Sequence, residues 1–559
     1  MRNICRTVFC LLAAIVFITA GSVTAQDQFV YERPEKNRKS EEPAKAPAEL
    51  APLRTFVVNS DGDGADATPG DGICETAAGN GICTLRAAVG EANALAGDDA
   101  ITFEPGISQI QVNGQIQISS NLTIIGPGAN LLTIASIAAQ GTTSRVFNVG
   151  NFAVSIHGLK ITGGFVTGSG GGILNSGSLS LTNVAVDQNR ATSTGGGIRS
   201  TNTLLIRNSA ITANTSTAST SGGISFAGTN LLISRSTISG NTSSGNGGGI
   251  NISATVSATI ENSTISGNTA GGASGGLFMN RGTINNSTIS GNTATGALAT
   301  EGGGGIRIQA GVNSVDITST TITDNSAPNA DAGSRSGIWH ETGTLTLKNN
   351  IVAANTTQDI QFTGGTLTNG GYNLIGRNTS VETQYPAGLP NGTDWVGTGA
   401  APLDPLLAPL GLYGGPTQTH ALFPGSVAIN TGDDLVNTLD QRGYIRPWDA
   451  VPAATSLSGN LSDIGSFEAQ SFPFTAGYSI SGRVFEGDGT PIRNTYLVMT
   501  DGMGNKYVAL SNSFGYYTFE GVEAGSSVSI TAAAKGFAFT PKIVVVNAPL
   551  ENVDFTPEP

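Results

Sequence analysis

The sequence predicts an all-β chain: a right-handed parallel β-helix (a β-solenoid) with an N-terminal helical cap, followed by a small β-sandwich. Three observations carry this expectation. The 559 residues include 77 glycines but only 12% charged side chains, which suits tight turns and β-branched strands better than charged helix faces. One nine-residue register recurs seven times along the middle of the chain. From Tyr478 that register gives way to short alternating strands separated by turn residues.

The N-terminus comes first. Arg2 and Arg6 precede an apolar run from Val8 to Ala20, and Ser22-Val23-Thr24-Ala25 then offers small residues for cleavage. The run is too short to span a bilayer, so residues 1–25 read as a signal peptide cleaved near Ala25. The chain is therefore expected to be secreted or displayed at the cell surface or outer membrane. No other stretch is long and apolar enough to cross a membrane. Without that segment, 25 basic residues face 40 acidic ones, a balance that repels phosphate backbones and anionic lipid and argues against nucleic acid as a partner. Residues 26–50 mix charge with Pro34, Pro43 and Pro47 and show no apolar periodicity, as in a disordered, solvated linker.

Residues 51–100 should form the cap. Thr55-Phe56-Val57-Val58 opens the ordered chain, and Leu85 to Asn93 places apolar residues at helical spacing. A helix there would cover the open edge of the first coil. Cys5 and Cys10 fall in the signal peptide; Cys74 and Cys83 remain, nine positions apart in an oxidising compartment, and are expected to form a disulfide. Between strand and helix lie Asn59, Asp61, Asp63, Asp66 and Asp71. Asn59-x-Asp61-x-Asp63-Gly64 fits the start of a Ca²⁺ loop, with Gly70 where the closing Glu should stand. Ca²⁺ is thus one candidate ligand and a plain Asp-Gly turn the competing reading; no cofactor is otherwise required.

The repeats, expected over 101–399, begin at Leu181, Ile206, Ile233, Ile260, Ile284, Ile317 and Leu347, with spacings of 25, 27, 27, 24, 33 and 30 residues. Position six is always apolar and β-branched: Val186, Ile211, Ile238, Ile265, Ile289, Ile322 and Val352. Position nine is always Asn: Asn189, Asn214, Asn241, Asn268, Asn292, Asn325 and Asn355. Position three is Asn in five of the seven, and glycine clusters such as Gly195-Gly196-Gly197-Ile198 lie between repeats. This period with no helical pattern is the signature of stacked coils. The apolar positions should point inward, and the ninth-position asparagines should bond to one another from coil to coil as a structural ladder. Tyr372-Asn373-Leu374-Ile375-Gly376 suggests that coils continue to about residue 470, giving about 14 coils and a rod of about 70 Å.

Three stretches resemble known families. Cys83-Thr84-Leu85-Arg86-Ala87-Ala88 resembles the C-S-L-R-E-A motif that heads many bacterial β-helix proteins, departing from it at Thr84 and Ala87. Residues 400–470 resemble the choice-of-anchor Q region through Asp404-Pro405-Leu406-Leu407, Gly414-Gly415-Pro416-Thr417-Gln418-Thr419-His420, Asp440-Gln441-Arg442-Gly443 and Asp463-Ile464-Gly465-Ser466-Phe467-Glu468. Residues 478–559 resemble a carboxypeptidase regulatory-like, transthyretin-like sandwich. The Gly-Gly-Gly-Ile and Ser-Gly-Asn repeats are similar to those of pectate-lyase-like β-helices and polymorphic outer-membrane proteins. These resemblances imply architecture and surface location more than chemistry.

For chemistry, a β-helix polysaccharide lyase would need grouped acids and a nearby basic residue. Asp187, Asp316, Asp324 and Asp331 fall in different registers, as do Arg207, Arg235, Arg281 and Arg307. His157 and His340 lack a carboxylate or Ser partner at a recognisable spacing, and His420 belongs to the choice-of-anchor-like motif, which reads as a structural cap. The outward residues at position two, Thr182, Arg207, Ser234, Glu261, Asn285, Thr318 and Lys348, are mostly neutral and suit repeated hydrogen bonding to sugars. The sequence therefore points to a monomeric, non-enzymatic surface protein, glycan-binding or adhesive, whose partner is an extracellular polysaccharide or cell-surface glycan. The alternative is a carbohydrate-active enzyme, a lyase or hydrolase of acidic polysaccharide.

Overall fold

The computed structural model describes residues 54–558 except 138–143, 254–256, 297, 299–300, 310, 312–313, 330–334, 424, 435–436, 449–458, 470–477, 503–505 and 523–524. The expected signal peptide and linker, and Asp331, lie outside the described residues.

Three long sheets run side by side, with 12, 13 and 10 strands, accompanied by a six-stranded strip; they are called A, B, C and D here in that order and are parallel except that Gly388–Asn391 pairs antiparallel with Asp394–Val396 at the end of B. One coil runs through Ser178–Thr182 in sheet A, Ala185–Asp187 in B, Arg190–Ala191 in D and Ile198–Ser200 in C. Leu204–Arg207 then returns to sheet A one rung on. Every strand of these coils pairs in parallel with its counterpart in the next.

The register is the one the repeats dictate. Position one stacks as Leu181, Ile206, Ile233, Ile260, Ile284, Ile317 and Leu347. Position six stacks as Val186, Ile211, Ile238, Ile265, Ile289, Ile322 and Val352. The apolar residues after the glycine clusters form a third column through Ile198, Ile224, Ile250, Leu277, Ile306 and Ile338. All three columns are fully buried and share one core.

The corners explain the polar positions. Position three holds a left-handed backbone, with φ of 55°, 47°, 49°, 50° and 56° at Asn183, Asn208, Asn262, Asn286 and Asn349. Asn tolerates that region better than most residues. Arg235 and Ser319 adopt it too, at φ 47° each. In the glycine clusters, close approach is the constraint: a Cβ on Gly196 would sit 2.4 Å from the Thr215 carbonyl oxygen.

At the N-terminal end, the helix Leu85–Ala94 starts at Thr84, whose hydroxyl accepts from the Ala87 N–H. It buries Leu85, Ala88, Val89 and Ala92 against the first coils. Cys74 and Cys83 are bridged by a disulfide.

The C-terminal part differs from the expectation that coils continue to about residue 470. Sheet A holds 12 strands, not about 14, and the last strand to join the parallel sheets is Asp394–Val396. The described residues between 400 and 469 run back along the outside of sheet B as a strap. Its His420 Nε2 lies 2.8 Å from Ser290 Oγ, and Ser466 N donates to Thr321 Oγ1 at 3.1 Å. Pro402, Pro405, Pro409 and Pro416 each remove a backbone donor that a sheet rung would need. Beneath the strap, Ile351, Ala353, Leu374 and Trp395 pack against Leu422, Ile429, Ile464 and Phe467. Ile351 and Ala353 occupy outward positions five and seven of the last repeat, apolar because the strap covers them.

The last part pairs Tyr478–Arg483 with Tyr516–Val522, and packs a four-stranded antiparallel sheet of Lys506–Leu510, Tyr496–Thr500, Ser526–Ala533 and Lys542–Val546. Ile480, Leu497, Met499, Tyr517, Ile530 and Phe555 form its own core.

Candidate functional site

The ninth-position asparagines form a one-way chain. Each side-chain Nδ2 donates to the next Oδ1, from Asn189 through Asn214, Asn241, Asn268, Asn292 and Asn325 to Asn355, at 2.9–3.1 Å. Each backbone N–H donates to the same oxygen, as Asn241 N does to Asn268 Oδ1 at 3.0 Å. The chain ends where Asn355 Nδ2 donates to Asp359 Oδ1 at 2.9 Å. Burial pushes the Asp359 carboxyl up to about 6 despite the donors from Asn355 and Arg377.

Sequence reading missed a second chain at position four. Val184 N donates to Ser209 Oγ, Ser209 N to Ser236 Oγ, Ser236 N to Ser263 Oγ and Ser263 N to Ser287 Oγ, at 3.0–3.2 Å. Further on, Thr320 N donates to Asn350 Oδ1, Asn350 N to Asn373 Oδ1, and Asn373 N to Asp394 Oδ1. The signal was present, but mixing Ser, Thr and Asn obscured it. Both chains are structural.

The candidate Ca²⁺ group is not brought together. Asp63 is held by Arg86 at 2.9 and 3.0 Å, and Asn59 binds the backbone of Gly81 and Cys83 at 2.8 Å. Asp66 and Asp71 accept from the N–H groups of Thr68 and Ile73 at 2.8 Å, as turn residues do, and Asp61 is exposed. No group of three or more His, Cys, Asp or Glu side chains able to hold a metal occurs among the described residues. The Arg86 guanidinium takes the charge of Asp63 that a cation would have needed.

Other expected residues are dispersed. Asp187 pairs with Lys160 at 2.8 Å, and Arg307 pairs with Glu341 while lying 4.1 Å from the Trp339 ring. His340 is buried and stacks on Phe362 at 5.4 Å. His420 fastens the strap to the helix. The position-two residues stack in register, but the strap reaches them: Asn285 Nδ2 donates to Asn437 Oδ1 at 2.7 Å, and Lys348 approaches Asp433 at 3.7 Å. The expected open face is thus interrupted.

A pocket of about 210 Å³ opens beside that contact, where helix, strap and sandwich meet. Arg235, Asn262 and Asn286 line it from the position-three corner column, Leu439 and Gly443 from the strap, and Phe514 from the sandwich. The Arg235 guanidinium lies 4.9 Å from the Phe514 ring centre, and its Nε donates to Asn208 Oδ1 at 3.1 Å. Asn286 Nδ2 donates to Asn262 Oδ1 at 2.7 Å and to the Leu439 carbonyl at 3.1 Å. Asn286 Oδ1 is buried without a donor.

The strap holds these parts rigidly. Arg446 lies between Asp434 at 2.9 Å and Glu468 at 3.0 Å, all fully buried. Burial alone would raise Asp434, but Arg446 and hydrogen bonds from Ser319 and Asn437 outweigh it and hold the carboxyl below its ordinary value. Arg442 binds Asp440 at 2.7 Å and stacks 3.5 Å from the Phe467 ring centre. Asn512 Nδ2 donates to the Arg442 carbonyl at 2.6 Å, and Asn512 Oδ1 accepts from Phe514 N at 2.9 Å, so one residue docks the sandwich and aims Phe514. The sequence signal for this site was Arg235, one of two residues breaking the Asn column at position three. Phe514 gave none.

A family model described as a right handed beta helix region matches residues 145–310. Chitinase ChiA of Flavobacterium johnsoniae is 35% identical over 71 residues, which is 13% of this chain and 4% of that protein's length. The crystal structure of pectate lyase Pel9A is similar at 15% identity with a TM-score of 0.41, over 75% of this chain and 97% of that one. The family match gives the coils their hand: they form a right-handed parallel β-helix.

Proposed function

We propose that this chain is an exported, monomeric, non-enzymatic surface protein that binds glycans, with the helix–strap–sandwich pocket as its ligand site. One observation carries the reading: the Phe514 ring stands beside the Arg235 guanidinium and the Asn262 and Asn286 amides in one concave site. A flat apolar face with a few converging polar groups is the composition of a small-molecule site. The ring can lie against the C–H face of a sugar while the amides and guanidinium bind its hydroxyls. The test is a glycan array probed with the wild-type chain and with Phe514→Ala. Wild-type binding to a set of glycans, lost in the variant, supports the reading. Unsaturated products released from pectin or alginate, with Ca²⁺ present, would instead favour the enzymatic alternative.

A further inference from the structure

The pocket's polar groups constrain what kind of sugar could fill it. Arg235 forms no ion pair with an acid among the described residues, and it is the one cation at its corner column, where five of seven positions are Asn. The acid that lines the pocket, Asp440, is already bound by Arg442 at 2.7 Å and also accepts from the N–H groups of Arg442 and Tyr444 at 2.9 Å. The wall is therefore locally cationic in a chain whose formal charge is −13. Beside it, Asn286 is spent within the protein: its Nδ2 donates to Asn262 Oδ1 at 2.7 Å and to the Leu439 carbonyl at 3.1 Å, which leaves the guanidinium as the charged group the wall offers.

Size adds a further constraint. At about 210 Å³ the pocket is smaller than the roughly 300–1,000 Å³ of sites for drug-sized ligands, so it holds about one ring rather than a length of chain. The negative field of the whole molecule disfavours a polyanion lying along the helix, whereas one carboxylate can be paired locally with a guanidinium.

Resting on the glycan-binding reading above, we infer that the pocket takes a single acid-bearing sugar residue end-on, at a chain end or branch. Its carboxylate would meet the Arg235 guanidinium, and its apolar face would lie against Phe514.

Calorimetric titration of the full chain with glucuronic acid and with the isosteric, neutral glucuronamide tests this. Glucuronic acid should bind about tenfold tighter, the gain expected of a charge-assisted pair over a neutral one. Arg235→Asn should erase that difference without unfolding the protein, because the same column carries Asn in five other coils; its unchanged melting temperature is the control. Phe514→Ala should weaken both ligands. Equal binding of acid and amide, or a preference that survives Arg235→Asn, overturns the acidic class while leaving glycan binding intact. If neither sugar binds and the array is blank, the glycan reading itself falls.

Discussion

Asn355 donates its side-chain amide to Asp359 at 2.9 Å, and this bond terminates a chain of seven asparagines that all donate in the same direction. A carboxylate suits this end because it only accepts. Its burial carries a consequence in pH.

Asp359 has a folded-state pKa of about 6 against an ordinary value of 3.8. The folded state therefore holds the proton more tightly, and stability should be greatest below the ordinary value and fall as pH rises to about 6. The loss from this one group is at most about 3 kcal/mol. Melting curves of wild type and Asp359→Asn at about pH 4 and about pH 7 isolate it: the variant should lack this part of the pH dependence.

Asn268 sits mid-chain, accepting from Asn241 N and Nδ2 and donating to the Ile238 carbonyl. Asn268→Ala leaves buried groups unpaired on both sides and should cost about 3 kcal/mol or more. A melting temperature within error of wild type would contradict a stabilising role for the chain.

Ile265 lies between Ile238 and Ile289 in register and is fully buried. Ile265→Asp places an unpaired charge there and should cost several kcal/mol. Full soluble yield with unchanged melting would count against the register.

The cap should be held by its covalent bond and by Arg86–Asp63 rather than by a cation. Cys74→Ser with Cys83→Ser should cost about 2–3 kcal/mol, as expected for so short a loop. Adding a chelator to wild type should leave the melting temperature unchanged. Two free thiols by mass spectrometry in protein from its native compartment would refute the bridge.

Arg446→Met would leave Asp434 and Glu468 buried beside an apolar side chain and should cost about 3–5 kcal/mol. The loss belongs to the strap. Limited proteolysis should cut within 400–469 before it cuts the coils, and simultaneous cutting throughout would show that strap and coils unfold as one unit.

The coils were legible because their physics is periodic: Ile265 and Asn268 recur with the same neighbours above and below, so seven copies announce one environment. The Ser209–Ser236–Ser263 column was equally periodic, yet hydroxyls and amides share one role there under different names. The strap was illegible as a strap. His420 and Ser466 meet Ser290 and Thr321 through polar contacts between distant segments, and only Ile351 and Ala353, apolar where solvent was expected, betray a covered face. The pocket was harder still. Arg235, Leu439 and Phe514 come from three segments with different patterns, and only tertiary folding brings them together.

Because the asparagine chain ends near the C-terminal edge of the coils, on Asp359, each rung from Asn189 onward passes the same hydrogen bonds forward to an equivalent neighbour. Such rungs are interchangeable units. Excising residues 206–232 would join Leu205 to Ile233 in the register that Ile206 held, and each severed donor would meet the same kind of acceptor one rung further on. Internal duplication or loss of whole coils upstream of the strap contacts would therefore change the length of this protein while leaving both ends chemically complete.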